Sequence, residues 1–205
     1  MGDGSQQSGD GRRRSQLRLT AEEAVDFAAD LAQRRAAALV EAGRYEEAIG
    51  VYDEETRSYR ALLSGVTGRT PDPETARRQS LHLSKVLMEI GTLNARLRRD
   101  QPALARTEEA LAVVRGLGPI DSVMAGYVLC RVLWGYAWVR AGLGVDLRSA
   151  YAAVQEAEAI LRQLAVDPPA SLAPAVRAEL PVLQSFLAHL QARTAVGEQA
   201  RWTHG

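Results

Sequence analysis

Apolar residues recur along this chain every three or four positions, the spacing that places them on one face of a helix. The first stripe runs from Ala24 to Leu39, and the second from Ile49 to Leu63. Five more follow over about 73–97, 100–115, 120–141, 147–167 and 171–194. No segment sustains the alternation of a half-buried strand. The pattern predicts an all-α fold of seven antiparallel helices, packed in sequential order through short turns.

Capping and turn residues mark the predicted helix ends. Thr20 and Glu23 have the spacing of a capping box at the start of helix 1. Gly43 follows that helix, where glycine permits the positive φ that ends a helix. Asp72 and Pro73 predict the start of helix 3, with Asp72 as the cap and Pro73 where its missing N–H is harmless.

Composition divides the chain into three segments. Residues 1–18 are polar, glycine-rich and without periodicity, which predicts a disordered tail. Residues 19–196 carry the helical stripes and form the predicted domain. Residues 197–205 are expected to form a flexible C-terminal tail.

Charge and hydropathy limit the classes of partner and the compartment that we expect. Lys+Arg 25 and Asp+Glu 25 give a formal net charge of zero, and nucleic-acid binding needs a surplus of basic groups. We therefore expect no nucleic-acid partner. No apolar run suits a signal peptide or a membrane span, so we expect no membrane partner and a cytoplasmic protein. The excess of Arg and Ala over Lys and Asn indicates a GC-rich bacterium.

The sequence offers little catalytic chemistry. Cys130 is the single cysteine and lies in an apolar stretch, which predicts a buried, inert thiol. His82, His189 and His204 lack metal-ligand spacing with other acidic or sulfur side chains. No nucleophile elbow or phosphate loop occurs. We expect a protein that is not an enzyme and has no metal or cofactor. A small helical enzyme would need an acid–base constellation that is not visible.

A helix-turn-helix motif begins at Gly43-Arg44-Tyr45-Glu46-Glu47-Ala48 and returns twice in weaker form. Helices 3 and 4 carry the best match, and helices 5 and 6 carry the third. The matching positions are Ala36, Leu39, Tyr52, Leu87, Ile90, Gly91, Ala103, Thr107, Ala110, Leu111, Trp134, Ala150, Val154 and Ala157. With these residues the chain resembles the tetratricopeptide repeat (TPR) family over about residues 20–165. The resemblance implies helical hairpins stacked as a short TPR-like α-solenoid.

The spacing of the repeats differs from that of the family. Ala48, Ala103 and Ala150 are 55 and 47 residues apart, whereas the family's repeat is about 34 residues long. Longer helices or longer links would account for the difference, and a plain helical bundle is the alternative. We expect the small residues, Gly91 among them, to lie where helices cross closely.

The resemblance implies that the first helix of each hairpin lines a concave groove. Its expected lining residues are Gln33, Arg34, Ala37, Lys85, Met88, Glu89, Thr92, Arg96, Val132, Tyr136 and Val139. Such a groove, charged at helix 3 and apolar at helix 5, suits an amphipathic helix or an extended peptide. Gln33 and Ala37 do not reproduce the family's clamp for a terminal carboxylate.

Helix 5 allows two interpretations, because it is apolar around nearly its whole circumference. It is either the central helix of the array, enclosed by helices 3, 4, 6 and 7, or it exposes one face to a partner or a second copy. We therefore expect a non-catalytic adaptor or regulatory subunit that binds a protein or peptide, with a second copy of the chain as the alternative partner. The alternative is a ligand-sensing domain with an apolar pocket around helix 5.

Overall fold

The structure, a computed structural model, describes residues 21–66, 70–119 and 122–202, with side chains between Phe27 and Ala195. These residues form seven helices and no strand. The helices are α1 (Ala21–Glu41), α2 (Tyr45–Leu63), α3 (Pro73–Arg96), α4 (Asp100–Arg115), α5 (Val123–Leu143), α6 (Leu147–Leu164) and α7 (Ala173–Trp202). The all-α prediction is confirmed. The predicted tail at 1–18 and the capping pair of Thr20 and Glu23 lie outside the described residues and side chains.

The turns inside the pairs α1–α2, α3–α4 and α5–α6 share one backbone geometry. Each contains a residue in the left-handed region: Gly43 (φ 72°), Arg98 (φ 59°) or Gly144 (φ 69°). In each turn the next amide donates to the carbonyl five residues earlier, at 2.8 to 2.9 Å. This is the bond that closes a helix ending on a left-handed residue. The chain therefore builds three helical hairpins with the same turn.

Side-chain caps set the start of α3 and α5. The Asp72 carboxylate accepts the backbone amides of Glu74 and Thr75, both at 3.0 Å, which confirms its predicted role. The bond from Thr75 is the main reason why the pKa of Asp72 is lowered. Ser122 accepts the amide of Ala125 at 3.2 Å, so α5 begins after Ser122 rather than near residue 120.

Helices pack against their neighbours in sequence, and α3 also packs against α5. The small residues lie at these interfaces: Ala48, Ala103 and Ala150 are fully buried. A Cβ added to Gly91 would come within 2.5 Å of Thr107 Cγ2 and 3.1 Å of the Ala103 carbonyl oxygen. The predicted close crossing is therefore confirmed for α3 and α4.

The last helix is longer than the sequence predicted. The helix α7 continues to Trp202, so the predicted boundary of the C-terminal tail at residue 197 falls inside it. The periodic apolar pattern ends near Thr194, but Glu, Gln, Ala and Arg at 198–201 are good helix formers without it. The loss of apolar periodicity therefore does not mark the helix end.

Two properties of the described part of the chain bear on function. Within it, no helix combines the length and apolar character needed to cross a membrane. Cys130 is fully buried, its Sγ lies 3.4 Å from the Ala157 carbonyl oxygen, and burial raises the pKa of the thiol to about 12. The prediction of a buried thiol is confirmed, and at neutral pH it stays protonated and poorly nucleophilic.

Candidate partner-binding groove

A cavity of about 520 Å³ lies between α3 and α5. Its lining combines apolar side chains with a cluster of polar and charged ones. The residues are Arg78, Leu81, His82, Lys85, Met88, Glu89, Met124, Tyr127, Val128, Arg131 and Val132. The volume falls within the range of sites that bind small ligands or single large side chains.

Two further depressions adjoin this cavity. One, of about 270 Å³, lies toward the C-terminal half of α5 and shares Met88, Glu89 and Arg131 with the cavity. The other, of about 320 Å³, lies toward α1 and shares Lys85 and Glu89. Their remaining lining residues are Thr92, Arg96, Trp134, Gly135 and Trp138 in the first, and Asp30, Gln33, Arg34, Ala37, Tyr52 and Val86 in the second. We call the three together the groove.

Helix α5 contributes a face whose residues repeat every three or four positions. It begins at Met124, which is 52% exposed, and ends at Trp138, which is 41% exposed. Trp138 is fourteen positions after Met124, which corresponds to about 21 Å along the helix. The helix packs against α3, α4 and α6 on its other sides. Both interpretations of helix 5 are thus partly met: most of it is core, and one face is open.

Of the three expected lining residues on α5, Val132 lines the cavity, whereas Tyr136 and Val139 do not line the groove. Val132 and Val139 are fully buried, so their predicted exposure is wrong. The ring of Tyr136 is half-buried outside the groove, 3.7 Å from the centre of the Arg140 guanidinium.

The packing of α3 explains the difference. A Cβ added to Gly135 would lie 2.5 Å from Met88 Sδ, so Met88 packs directly over the backbone of α5 at this position. That contact turns Arg131, Gly135 and Trp138 toward the groove. Each is one residue before a predicted position, and one residue rotates a helix face by about 100°. A helix that is apolar all round carries no pattern that distinguishes these faces.

The expected residues on α1 and α3 do border the groove. They are Gln33, Arg34, Ala37, Lys85, Met88, Glu89, Thr92 and Arg96. Met88 differs in being only 4% exposed, so it forms part of the floor rather than the rim. Lys85 Nζ donates to Gln33 Oε1 at 3.4 Å and links α3 to α1. Arg96 lies over the ring of Tyr45, 5.6 Å from its centroid.

A buried carboxyl group lies behind the α1 side of the groove. Gln33 Nε2 donates to Glu55 Oε1 at 3.3 Å, and Glu55 is only 5% exposed. Burial raises the pKa of Glu55. Burial also raises the pKa of Tyr52 to about 12, with further contributions from Glu89 and Glu55.

Helix α7 contacts two lining residues of the groove through Glu179. One carboxylate oxygen of Glu179 accepts from the Tyr127 hydroxyl at 3.0 Å and from Arg131 at 2.5 Å. This contact neutralises much of the Arg131 charge. The sequence did not indicate Glu179, because 48 residues separate it from Arg131 and no local pattern joins them.

Basic groups outnumber acidic ones in the groove. The basic lining residues are Arg34, Arg78, Lys85, Arg96 and Arg131, and the acidic ones are Asp30 and Glu89. Burial raises the pKa of Glu89, although the fields of Arg131, Lys85 and Arg96 act in the opposite direction. The whole chain has no net charge, so the groove is basic relative to the rest of the molecule.

In comparisons with known proteins, no family model and no curated protein matches the chain. Among the described residues, no three His, Cys, Asp or Glu side chains come together as metal ligands would.

Proposed function

We propose that the chain is a non-catalytic interaction module, an adaptor or regulatory subunit, that binds a helix or extended peptide of a partner protein in the groove. One observation carries this proposal. The open face of α5 runs from Met124 to Trp138 beside a charged face of α3, with a cavity between them. A folded protein that exposes large apolar side chains along a groove presents an interface.

The residue types of the groove suit recognition of a peptide. Trp, Met and Arg are enriched at protein interfaces, and Trp and Arg supply most of the residues whose loss costs the most affinity. Met88 and Met124 have flexible side chains that adapt to different partner shapes. The open length of α5 matches about four turns of a bound helix.

We also propose that the three hairpins are TPR-like repeats of a short solenoid. Their shared turn at Gly43, Arg98 and Gly144 supports a repeated unit. The groove draws on α1, α3 and α5, the first helices of the three hairpins. This is the arrangement that the resemblance in sequence implies. The cytoplasm is the compartment we propose for such an adaptor.

The alternative function is sensing of a small apolar molecule in the cavity. Its volume of about 520 Å³ and the apolar floor at Leu81, Val128 and Val132 favour this reading. Native mass spectrometry of the purified chain would test it. A stoichiometric small molecule that leaves on denaturation would support the sensor, and a bare chain would leave the peptide groove as the better account.

Selection of peptides on the folded chain tests the main proposal. Peptides from a random displayed library would be measured against the wild type and Trp138→Ala. Val166→Ala, whose side chain is 85% exposed in the α6–α7 link, is the matched control. We expect Trp138→Ala to cost about 2 kcal/mol of binding with an unchanged melting curve, and Val166→Ala to cost nothing. Equal binding to all three chains would contradict the proposal.

A further inference from the structure

The charge of the groove contrasts with that of the chain. Five basic and two acidic side chains line the groove, in a chain whose basic and acidic groups are equal in number. Arg34 contacts Asp30 at 2.7 Å, and Arg131 contacts Glu179 at 2.5 Å. The first pair lies within α1, and the second joins α5 to α7.

Lys85 and Arg96 have a different environment. Lys85 Nζ contacts the amide oxygen of Gln33, and Arg96 contacts the hydroxyl and ring of Tyr45. Both side chains are exposed, and both contacts are to neutral groups. The two residues are eleven positions apart on α3, about 16 Å along the helix axis. They form two positive points along the same wall of the groove.

Apolar surface lies next to these charges. Met88 lies between Lys85 and Arg96 in sequence and forms the floor, and Val128 and Trp138 continue the apolar surface on α5. A ligand in the groove would therefore meet cations on one wall and apolar side chains beneath and opposite. An amphipathic helix whose polar edge is acidic matches both surfaces.

We propose that the partner segment is an acidic amphipathic helix that lays its apolar stripe on the Met88 floor and the open face of α5. This inference rests on the proposed function and names the chemistry of the partner. Its carboxylates face Lys85 and Arg96, and residues about eleven positions apart on the partner helix reach both cations. Glu89 lies between those cations and repels the partner, so it limits the affinity.

Two designed peptides test the sign of the partner's charge. Both carry the same Leu and Phe stripe at i, i+3, i+4 and i+7, flanked by Glu in one peptide and by Lys in the other. We expect the Glu peptide to bind the full chain at least about tenfold more tightly at low salt. Its affinity should fall as the salt concentration rises, because exposed charges are screened.

Two neutralising substitutions on α3 sharpen the test. Lys85→Gln should weaken binding of the Glu peptide about threefold to tenfold, and Glu89→Gln should strengthen it. The substituted positions are one helical turn apart, and neither change alters the apolar floor. Melting curves of both variants establish that they are folded. A basic partner would give the opposite pair of effects.

The outcomes separate this inference from the proposed function. The inference would be overturned if the Lys peptide bound as tightly as the Glu peptide or more tightly. It would also be overturned if Glu89→Gln bound the Glu peptide more weakly than the wild type does. If neither designed peptide binds, but the library peptides still lose affinity for Trp138→Ala, the acidic partner is contradicted and the groove is retained as the binding site. If the library peptides also bind Trp138→Ala as tightly as the wild type, the proposed function itself is contradicted.

Discussion

At the scale of single residues, the turn between α3 and α4 shows how a repeated backbone geometry can be hidden in the sequence. Gly43 and Gly144 supply the left-handed residue in the other two hairpins, and Arg98 supplies it here at φ 59°. A left-handed conformation costs a residue with a Cβ about 1–2 kcal/mol. The sequence could predict the first turn from its glycine, whereas Arg98 gives no such signal.

We expect Arg98→Gly to stabilise the chain by up to about 1 kcal/mol, since it removes this strain at an exposed position. Part of the gain is offset by the greater freedom of glycine in the unfolded chain. Chemical denaturation measures the free energy of unfolding. A clear loss of stability would show that the Arg98 side chain makes a contact worth more than the strain.

Gly142 and Gly144 form a matched pair for the same reasoning. Both are exposed, and a Cβ at either would meet nothing within 4 Å. Gly142 is helical, so Gly142→Ala should stabilise by up to about 1 kcal/mol. Gly144 has a positive φ, so Gly144→Ala should destabilise by about 1 kcal/mol. The same sign for both substitutions in denaturation experiments would contradict the turn geometry.

The buried Glu55 predicts a pH dependence. Its pKa in the folded chain is raised above the ordinary 4.5, so the protonated form is the one that the fold favours. The stability that protonated Glu55 contributes is complete at pH values below its ordinary pKa. It is lost as the pH rises through the raised pKa of the folded chain. Glu55→Gln keeps an acceptor for Gln33 and cannot ionise.

We therefore expect Glu55→Gln to gain stability relative to the wild type between pH 4 and pH 7, measured as unfolding free energy at both pH values. Glu54→Gln removes one negative charge from an exposed neighbour on the same helix and is the control. If Glu55→Gln and the wild type differ in unfolding free energy by the same amount at both pH values, the folded chain does not disfavour the ionised form of Glu55.

At the scale of elements, the stripes and caps predicted the seven helices closely, because each apolar face has to be buried against a neighbour. The exceptions have physical causes. On α5 the apolar residues surround the helix, and only the packing of Met88 over Gly135 selects the open face. On α7 the helix continues to Trp202, beyond the end of the periodic apolar pattern. The contact of Glu179 with Arg131 depends on the tertiary fold and has no local signature.

Two buried glycines test the interfaces of α3. Gly91→Ala places a methyl group against backbone atoms of α4, and we expect a loss of about 1–3 kcal/mol despite the better helix propensity of alanine. Gly135→Ala meets the flexible end of Met88, so we expect a change smaller than that of Gly91→Ala. Urea denaturation of both variants would decide. A larger cost at Gly135 would mean that the α3–α5 contact is the more rigid one.

At the scale of the whole molecule, the packed hairpins bring side chains from α1, α2, α3 and α5 to one groove. Asp30 and Arg34 come from α1, Lys85 from α3 and Arg131 from α5, and Arg131 in turn pairs with Glu179 of α7. The lining residues on α1 and α3 could be predicted because the helical hairpins resemble TPR repeats in sequence. The apolar floor and basic wall arise only when these elements pack together, and they are the basis for the proposed acidic helical partner.

Cross-linking tests the central claim, that this groove is the binding surface, most directly. A peptide selected on the folded chain would carry a photoreactive residue in its apolar stripe, and mass spectrometry would locate the cross-linked residues. We expect them on α3 between Lys85 and Arg96 and on α5 between Met124 and Trp138. Cross-links confined to α2, α4 or α6 would contradict the account.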